Sequence, residues 1–270
     1  MKIKVFVCYH KKDLFFDNPY YFPIQVGKDL SGDNLGYIGD NTGDNISDKN
    51  PWYCELTAHY WVWKNVSDAD YVGLCHYRRY FNFHPSIWDM IRGYKHVNSD
   101  TISSKIEIPV SDIDEADVYL VKPTTDSIPL YEQMCISHIQ RDVDTLRVII
   151  EEKYPEFLKS YDDIIIKGNH FSTCNMLIAK KEIFDEYSKW LFDILFELEK
   201  RLVIPSAPYQ PRLFGFYSER LLNVFFHQRN YKVKYLPLLI IKEEKNHALL
   251  LLLLRNILRN INCWLYKHLR

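Results

Sequence analysis

Short apolar runs rich in β-branched and aromatic residues alternate along this chain with longer stretches of helical periodicity, and that alternation restricts it to an α/β fold. The runs fall at residues 3–9, 69–74, 116–121, 174–179 and 231–236. Helices are predicted over residues 52–65, 131–152, 181–201 and 218–228, two of them stopped by Pro155 and Pro205, which lack the amide a helix needs. Runs this apolar, bounded by polar turns, read as buried parallel strands. The expected fold is therefore a single α/β domain with a mostly parallel central sheet, and no internal repeat interrupts it. A length of 270 residues with 47% hydrophobic and 26% charged residues fits one large domain, or a domain with a small appendage.

A formal net charge of -1 argues against bulk nucleic-acid binding, which needs a strongly basic face. Cys8, Cys54, Cys75, Cys135, Cys174 and Cys263 are scattered, with no CxxC and no His at zinc-finger spacing. They encode neither a metal cage nor a disulfide framework, and several sit in apolar runs where a reduced thiol acts as a small hydrophobe. A reducing, cytoplasmic compartment is expected. The N-terminus enters a strand within a few residues and lacks the apolar region and cleavage site of a signal peptide, so export by that route is not expected.

Two segments carry chemistry. The strand from Asp70 runs into His76-Tyr77-Arg78-Arg79-Tyr80, and the carboxyl end of a parallel strand is where such a sheet places its ligand. Paired guanidiniums offer forked donors to phosphate oxygens, and tyrosine faces suit a base or a sugar. The cluster reads as a nucleotide-sugar site; the alternative is that Arg78 and Arg79 pair with surface carboxylates while the tyrosines pack. The first strand ends similarly, in Tyr9 and His10. A Gly-, Asp- and Asn-rich loop from Gly27 to Asn50 is too long for a mere connection and reads as functional or mobile. Asn50 and Pro51 then look like the cap and first residue of a helix. His138, His170 and Asn175, at strand or helix ends on later elements, are candidates for acceptor contacts.

The last stretch differs in kind. After Glu244 there are no acids, six leucines fill residues 249–254, and Ile257, Leu258, Ile261, Trp264 and Leu265 follow at helical spacing opposite Arg255 and Arg259. Residues 245–270 read as an amphipathic basic helix appended to a domain of residues 1–244. Six leucines fall far short of the roughly 20 residues that span a bilayer, so the helix would lie on a membrane surface, or else pack on the domain or at a dimer interface.

Four motifs in order, Gly39-Asp40-Asn41-Thr42-Gly43-Asp44-Asn45-Ile46-Ser47, Asn50-Pro51-Trp52-Tyr53-Cys54-Glu55-Leu56-Thr57, the segment from Asp70 to Phe81, and Tyr217-Ser218-Glu219-Arg220-Leu221-Leu222, resemble a bacterial glycosyltransferase family of capsule, exopolysaccharide and O-antigen gene clusters, often listed under a domain-of-unknown-function name. The resemblance covers roughly residues 3–240. It implies a GT-A-like nucleotide-binding domain that moves a hexose, galactose in either ring form among them, from a UDP-sugar to a lipid-linked saccharide, in the cytoplasm at the inner face of the cell membrane. Such enzymes usually end the corresponding strand in Asp-x-Asp, which holds a divalent cation. Here it reads His76-Tyr77-Arg78, so no cofactor is required if Arg78 and Arg79 neutralise the leaving diphosphate; the alternative is Mg or Mn held by His76 or an Asp of the Gly-Asp-Asn loop. By the same resemblance Glu219, in the first turn of a helix, is the candidate base of an inverting transfer, with Asp44 and Asp48 behind it. Donor contacts are expected from Tyr9, His10, Asp44, Asn45, His76 and Tyr77, with Glu55 orienting an arginine. The competing readings are a sugar-phosphate transferase and a non-catalytic nucleotide-sugar or glycan-binding subunit of a polysaccharide assembly complex.

Overall fold

A computed structural model of the protein describes residues 1–103, 105–202 and 212–242. Its strands are β1 (Ile3–Tyr9), β2 (Tyr21–Gln25), β3 (Ile38–Gly39), β4 (Tyr71–His76), β5 (Arg79–Phe81), β6 (Tyr94–Val97), β7 (Val118–Val121), β8 (Thr124–Thr125), β9 (His170–Phe171), β10 (Leu177–Lys180), β11 (Val233–Leu236) and β12 (Leu238–Ile241). The helices are α1 (Asn50–Tyr53), α2 (Leu56–Asn65), α3 (Ile87–Arg92), α4 (Ser99–Ile102), α5 (Leu130–Ser137), α6 (Gln140–Lys153), α7 (Leu158–Tyr161), α8 (Lys181–Arg201) and α9 (Leu213–Gln228).

The central sheet runs β11-β7-β10-β4-β1-β2-β3, parallel except for β10, which is antiparallel to both neighbours. β12 extends it by pairing antiparallel with β5 and parallel with β6, and β5 joins β4 through His76 and Arg79. Strand alternation divides the core in two. Phe6 and Cys8 face the layer of α2, α6, α8 and α9, whereas Val5, Val7 and Tyr9 face the opposite side, which Tyr80, Phe81, Leu239 and Ile113 cover. Gly73 in β4 permits this packing: a Cβ there would stand 2.6 Å from the Leu177 carbonyl of β10.

Helix α8 spans the residues predicted for it. It has no interior Gly or Pro, and Lys200 and Arg201 sit in its last turn, where cations favour the helix dipole. Other expectations need correction. The helix predicted over 52–65 is interrupted at Cys54, with φ 52° and ψ -128°, giving α1 and α2. Asn50 does not cap it; its side-chain amide instead donates to the Cys54 carbonyl at 2.8 Å and fastens the break. The helix predicted over 131–152 divides at His138, whose backbone is extended, into α5 and α6. α9 starts at Leu213 and not near Ser218, so Glu219 lies beyond its first turn. β10 starts at Leu177, after two left-handed residues, and is not parallel.

The Gly27 to Asn50 loop is built around one carboxylate. Buried Asp40 accepts hydrogen bonds from the amides of Gly27 at 2.8 Å and Lys28 at 3.0 Å and from the Ser47 hydroxyl at 2.5 Å. Gly27 has φ +63°, and the Asn50 side chain occupies the place of its missing Cβ. Cys8, Cys54, Cys75, Cys135 and Cys174 are free thiols. Residues 245–270, with Cys263 and the expected basic helix, lie outside the described residues. Among the described residues, no helix is long and apolar enough to cross a membrane.

Candidate active site

Strand β1 has β2 on one side and β4 on the other, so the chain departs from it in both directions and opens a crevice beyond the carboxyl ends of β1 and β4. Because β10 is antiparallel, its entry turn arrives at the same end: Leu177 pairs with Leu74, and Cys174 lies beside His76. A cleft of about 570 Å³ results, lined on one side by His10, His76, Tyr77, Arg78 and Arg79 and on the other by Glu55, Cys174, Arg212 and Glu219.

The first wall is cationic and aromatic. Arg78 is held by Asp13, whose Oδ2 accepts from Nε at 3.1 Å and Nη2 at 2.7 Å, and its guanidinium lies 5.2 Å from the Tyr77 ring centre. Exposed Arg79 directs Nη1 to the Cys174 sulfur at 3.7 Å. His76 Nε2 is 2.6 Å from the Cys174 carbonyl, which can only accept, so Nε2 carries the proton. Burial pushes the His76 imidazole below its ordinary pKa against the opposing pull of Glu55. His10, edge-on to Tyr77, is lowered by burial and by the cations of Lys11, Arg212 and Arg78. Both rings therefore favour the neutral form, and the arginines carry the positive charge.

The second wall holds two carboxylates through one turn. Cys174 and Asn175 adopt φ 77° and 49°, a conformation that disfavours side chains with a Cβ, Asn less than most. The Cys174 amide donates to Glu219 Oε1 at 2.9 Å, and the Asn175 side-chain amide donates to Glu55 Oε1 at 2.8 Å. Asn175 also donates to the Gly215 carbonyl at 2.9 Å and accepts from the Ser218 hydroxyl at 2.6 Å, tying the turn to α9. The break at Cys54 brings Glu55 to the mouth of α2. Glu219 Oε2 accepts from buried Arg220 at 2.9 Å, and its side chain keeps 20% of its surface exposed to the cleft. Burial raises the Glu219 carboxyl above its ordinary pKa and nearby Glu55 adds to the rise, while Arg220 opposes both.

The structure brings together His10, His76, Tyr77, Arg78, Arg79, Glu55 and Glu219. Other expected site residues lie elsewhere. Tyr9, one residue from His10, points to the opposite face of β1, is fully buried and donates its hydroxyl to the Leu14 carbonyl at 2.8 Å. Asp44 is at the far end of α2, bonded to the Tyr60 hydroxyl and to the Asn65 side chain, and neighbouring Asn45 donates to the Gly43 carbonyl. Asp48 is exposed in the short turn before α1 and does not line the cleft. His138 packs between Phe216 and Tyr217, with burial lowering its pKa to about 4, and His170 lies in the small β8–β9 ladder. Asn175 is buried with both amide atoms engaged, so it holds Glu55 and offers no donor to a ligand.

Sequence reasoning missed Arg212, the left-handed residue before α9, whose amide donates to the Pro51 carbonyl at 3.1 Å. It also missed Asp13 and the turn at Cys174; no local pattern marks either. Guanidiniums occupy the end of β4, and no cluster of three or more His, Cys, Asp or Glu residues placed to hold a metal occurs among the described residues.

No match is found among curated proteins. A solved structure described as a WbbM bifunctional glycosyltransferase in its apo form is similar over 90% of this chain at 33% identity, with a TM-score of 0.80. The match covers 46% of that protein, so the chain spans about half its length. That likeness, with the order β3-β2-β1-β4-β10-β7 and a single reversed strand, makes the fold GT-A-like. Residues 4–230 match the family model described as a domain of unknown function, DUF4422, and the chain belongs to that family.

Proposed function

We propose that this chain is a glycosyltransferase that moves a hexose from a UDP-sugar to a hydroxyl of a lipid-linked saccharide in the synthesis of a bacterial surface polysaccharide. One observation carries the reading: a cleft at the carboxyl ends of β1 and β4 sets Arg78 and Arg79 across from the half-buried carboxylate of Glu219, with Arg212 lining the same wall as Glu219. The acceptor hydroxyl attacks the anomeric carbon while Glu219 takes its proton, and the bond from that carbon to the diphosphate breaks with its electrons leaving on the phosphate oxygen. The guanidiniums at that end of the cleft stabilise the negative charge that develops there. A raised carboxyl pKa makes Glu219 a stronger base once it is ionised. Attack opposite the leaving group inverts the anomeric centre. Tyr77 offers its ring face to the donor, and His10 and His76 offer neutral imidazoles. The enzyme works at the cytoplasmic face of the membrane, where residues 245–270 would hold it beside a lipid-bound acceptor, and it requires no divalent metal.

The test is release of nucleotide from a panel of UDP-, GDP- and CMP-sugars, with and without EDTA. Selective UDP release that survives EDTA and fails in Arg78→Ala is expected. UMP release would replace this reading with sugar-phosphate transfer. Loss of activity in EDTA would return a metal to the site, and tight donor binding without turnover in the presence of extracted lipid-linked acceptor would make the chain a binding subunit.

A further inference from the structure

The short helix α3 displays Ile87, Trp88 and Ile91 at 69%, 63% and 63% exposure. Residues at i, i+1 and i+4 lie on one helical face, so the three form a single apolar patch, continued by exposed Tyr94 at the start of β6. Soluble monomers rarely leave such a patch without use. The helix is held firmly for its length: Ser86 and Asp89 make a reciprocal capping box, and Gly93 closes it with φ 79°. Asp89 is the only acid between His84 and His96, and it is buried, bonded to the Ser86 amide and paired with Lys95. Beside the patch in sequence the charges are those of exposed Arg92 and of Lys95, between His84 and His96, and the Lys122 ammonium reaches the Met90 carbonyl of the same helix.

We infer that this face of α3 is a docking surface for a lipid bilayer bearing anionic headgroups. Ile87, Trp88 and Ile91 enter the boundary between headgroups and acyl chains, where Trp and Tyr are favoured, and the basic rim meets the headgroup phosphates. Two further observations single out a lipid surface. β12 pairs with β6 from Leu238 opposite Tyr94 to Ile241 opposite Val97, so the described chain ends, just after Ile241, on the same extension of the sheet that carries the patch, at the far end of β6 from Tyr94, and the acid-free, leucine-rich sequence of residues 245–270 follows it. That extension also borders the cleft: the Ile241 amide donates to the Arg78 carbonyl at 3.0 Å, and β5 leads from Arg79 toward α3. Docking through α3 therefore sets the height and tilt of the cleft above the membrane, which a single tether would leave free.

The experiment uses the full chain and vesicles of phosphatidylcholine with or without phosphatidylglycerol. Replacing Ile87, Trp88 and Ile91 together by Ser is expected to lower partitioning onto the anionic vesicles by roughly tenfold or more, with circular dichroism unchanged. Trp88 provides a second reading that needs no disruptive change: bromine on the acyl chains should quench the part of the emission that Trp88→Phe removes. Unchanged partitioning of the triple variant, or Trp88 emission that bromine leaves intact in vesicle-bound protein, would overturn the proposal. So would a dimer in solution that the triple variant converts to monomer, because the patch would then be covered by a second copy.

Discussion

The two walls of the cleft are built in opposite ways. His76 to Arg79 comes from one continuous stretch at the end of a parallel strand, whereas the carboxylate wall joins the break before α2, the turn into β10 and the second turn of α9. Charge on the first wall is spread over guanidiniums that reach solvent, Arg79 most of all. On the second, the half-buried carboxylates of Glu55 and Glu219 are fixed by neighbours on three segments. One wall can adapt to a ligand, while the other must keep its geometry.

The largest effect is expected where fixed geometry meets chemistry. Glu219→Gln keeps the shape but cannot accept a proton, and should lower kcat by roughly 100- to 10,000-fold with a smaller change in donor binding. Glu55→Gln in parallel would identify the base: a greater loss there would transfer the role to Glu55. The pH profile of the unaltered chain carries the same information. A base must be ionised, and burial raises the Glu219 carboxyl, so kcat/KM should fall as pH drops through a value above the ordinary glutamate range.

Next comes the adaptable wall. Arg78→Ala removes a cation and takes from Asp13 its guanidinium partner, so donor affinity and turnover should together fall roughly 100- to 1,000-fold. Asp13→Ala in that background should recover part of the loss, and a double-mutant cycle over the four proteins measures the coupling. Strict additivity would mean that Asp13 does not position Arg78. Asn175→Ala strikes the fixed wall without touching a charge. It removes the amide donor of Glu55 Oε1 and one bond each from the Ser218 hydroxyl and the Gly215 carbonyl, which keep the bond to each other, and it puts alanine at φ 49°, so stability should fall by about 1–3 kcal/mol and turnover by about ten- to a hundredfold as Glu55 drifts. Denaturant melts separate the two losses.

The same contrast explains what was legible. The α/β class, β1 and α8 follow from local periodicity, since a run of seven strand residues or twenty-one helical ones carries its own pattern. The cationic wall was legible because its residues are neighbours in sequence. Asn175 looked like a ligand contact because its role depends on Glu55, Gly215 and Ser218, up to 120 residues away. Tyr9 misled by a simple rule: successive strand residues face opposite sides, so the neighbour of a cleft residue lies beneath the sheet. The breaks at Cys54 and His138 carry no Gly or Pro, and tertiary bonds such as Asn50 to the Cys54 carbonyl hold the first of them open.

The smallest expected effect tests the boundary of the site. The Gly-Asp-Asn run resembles a donor loop, yet its Asp44 accepts from the Tyr60 hydroxyl at 3.1 Å and receives the Asn65 side chain on its amide, at the carboxyl end of a helix of 10 residues whose other end begins beside Glu55. At 1.5 Å per residue that separates Asp44 from the cleft by about 15 Å. Asp44→Ala should therefore change kcat/KM by less than about twofold while lowering stability by up to about 1 kcal/mol through the lost tyrosine bond. The carboxylate that matters in this loop is Asp40, because two amides and the Ser47 hydroxyl converge on it without solvent. A loss of activity in Asp44→Ala as large as that in Arg78→Ala would mean that the loop moves to the cleft when donor binds, and both walls would then be adaptable.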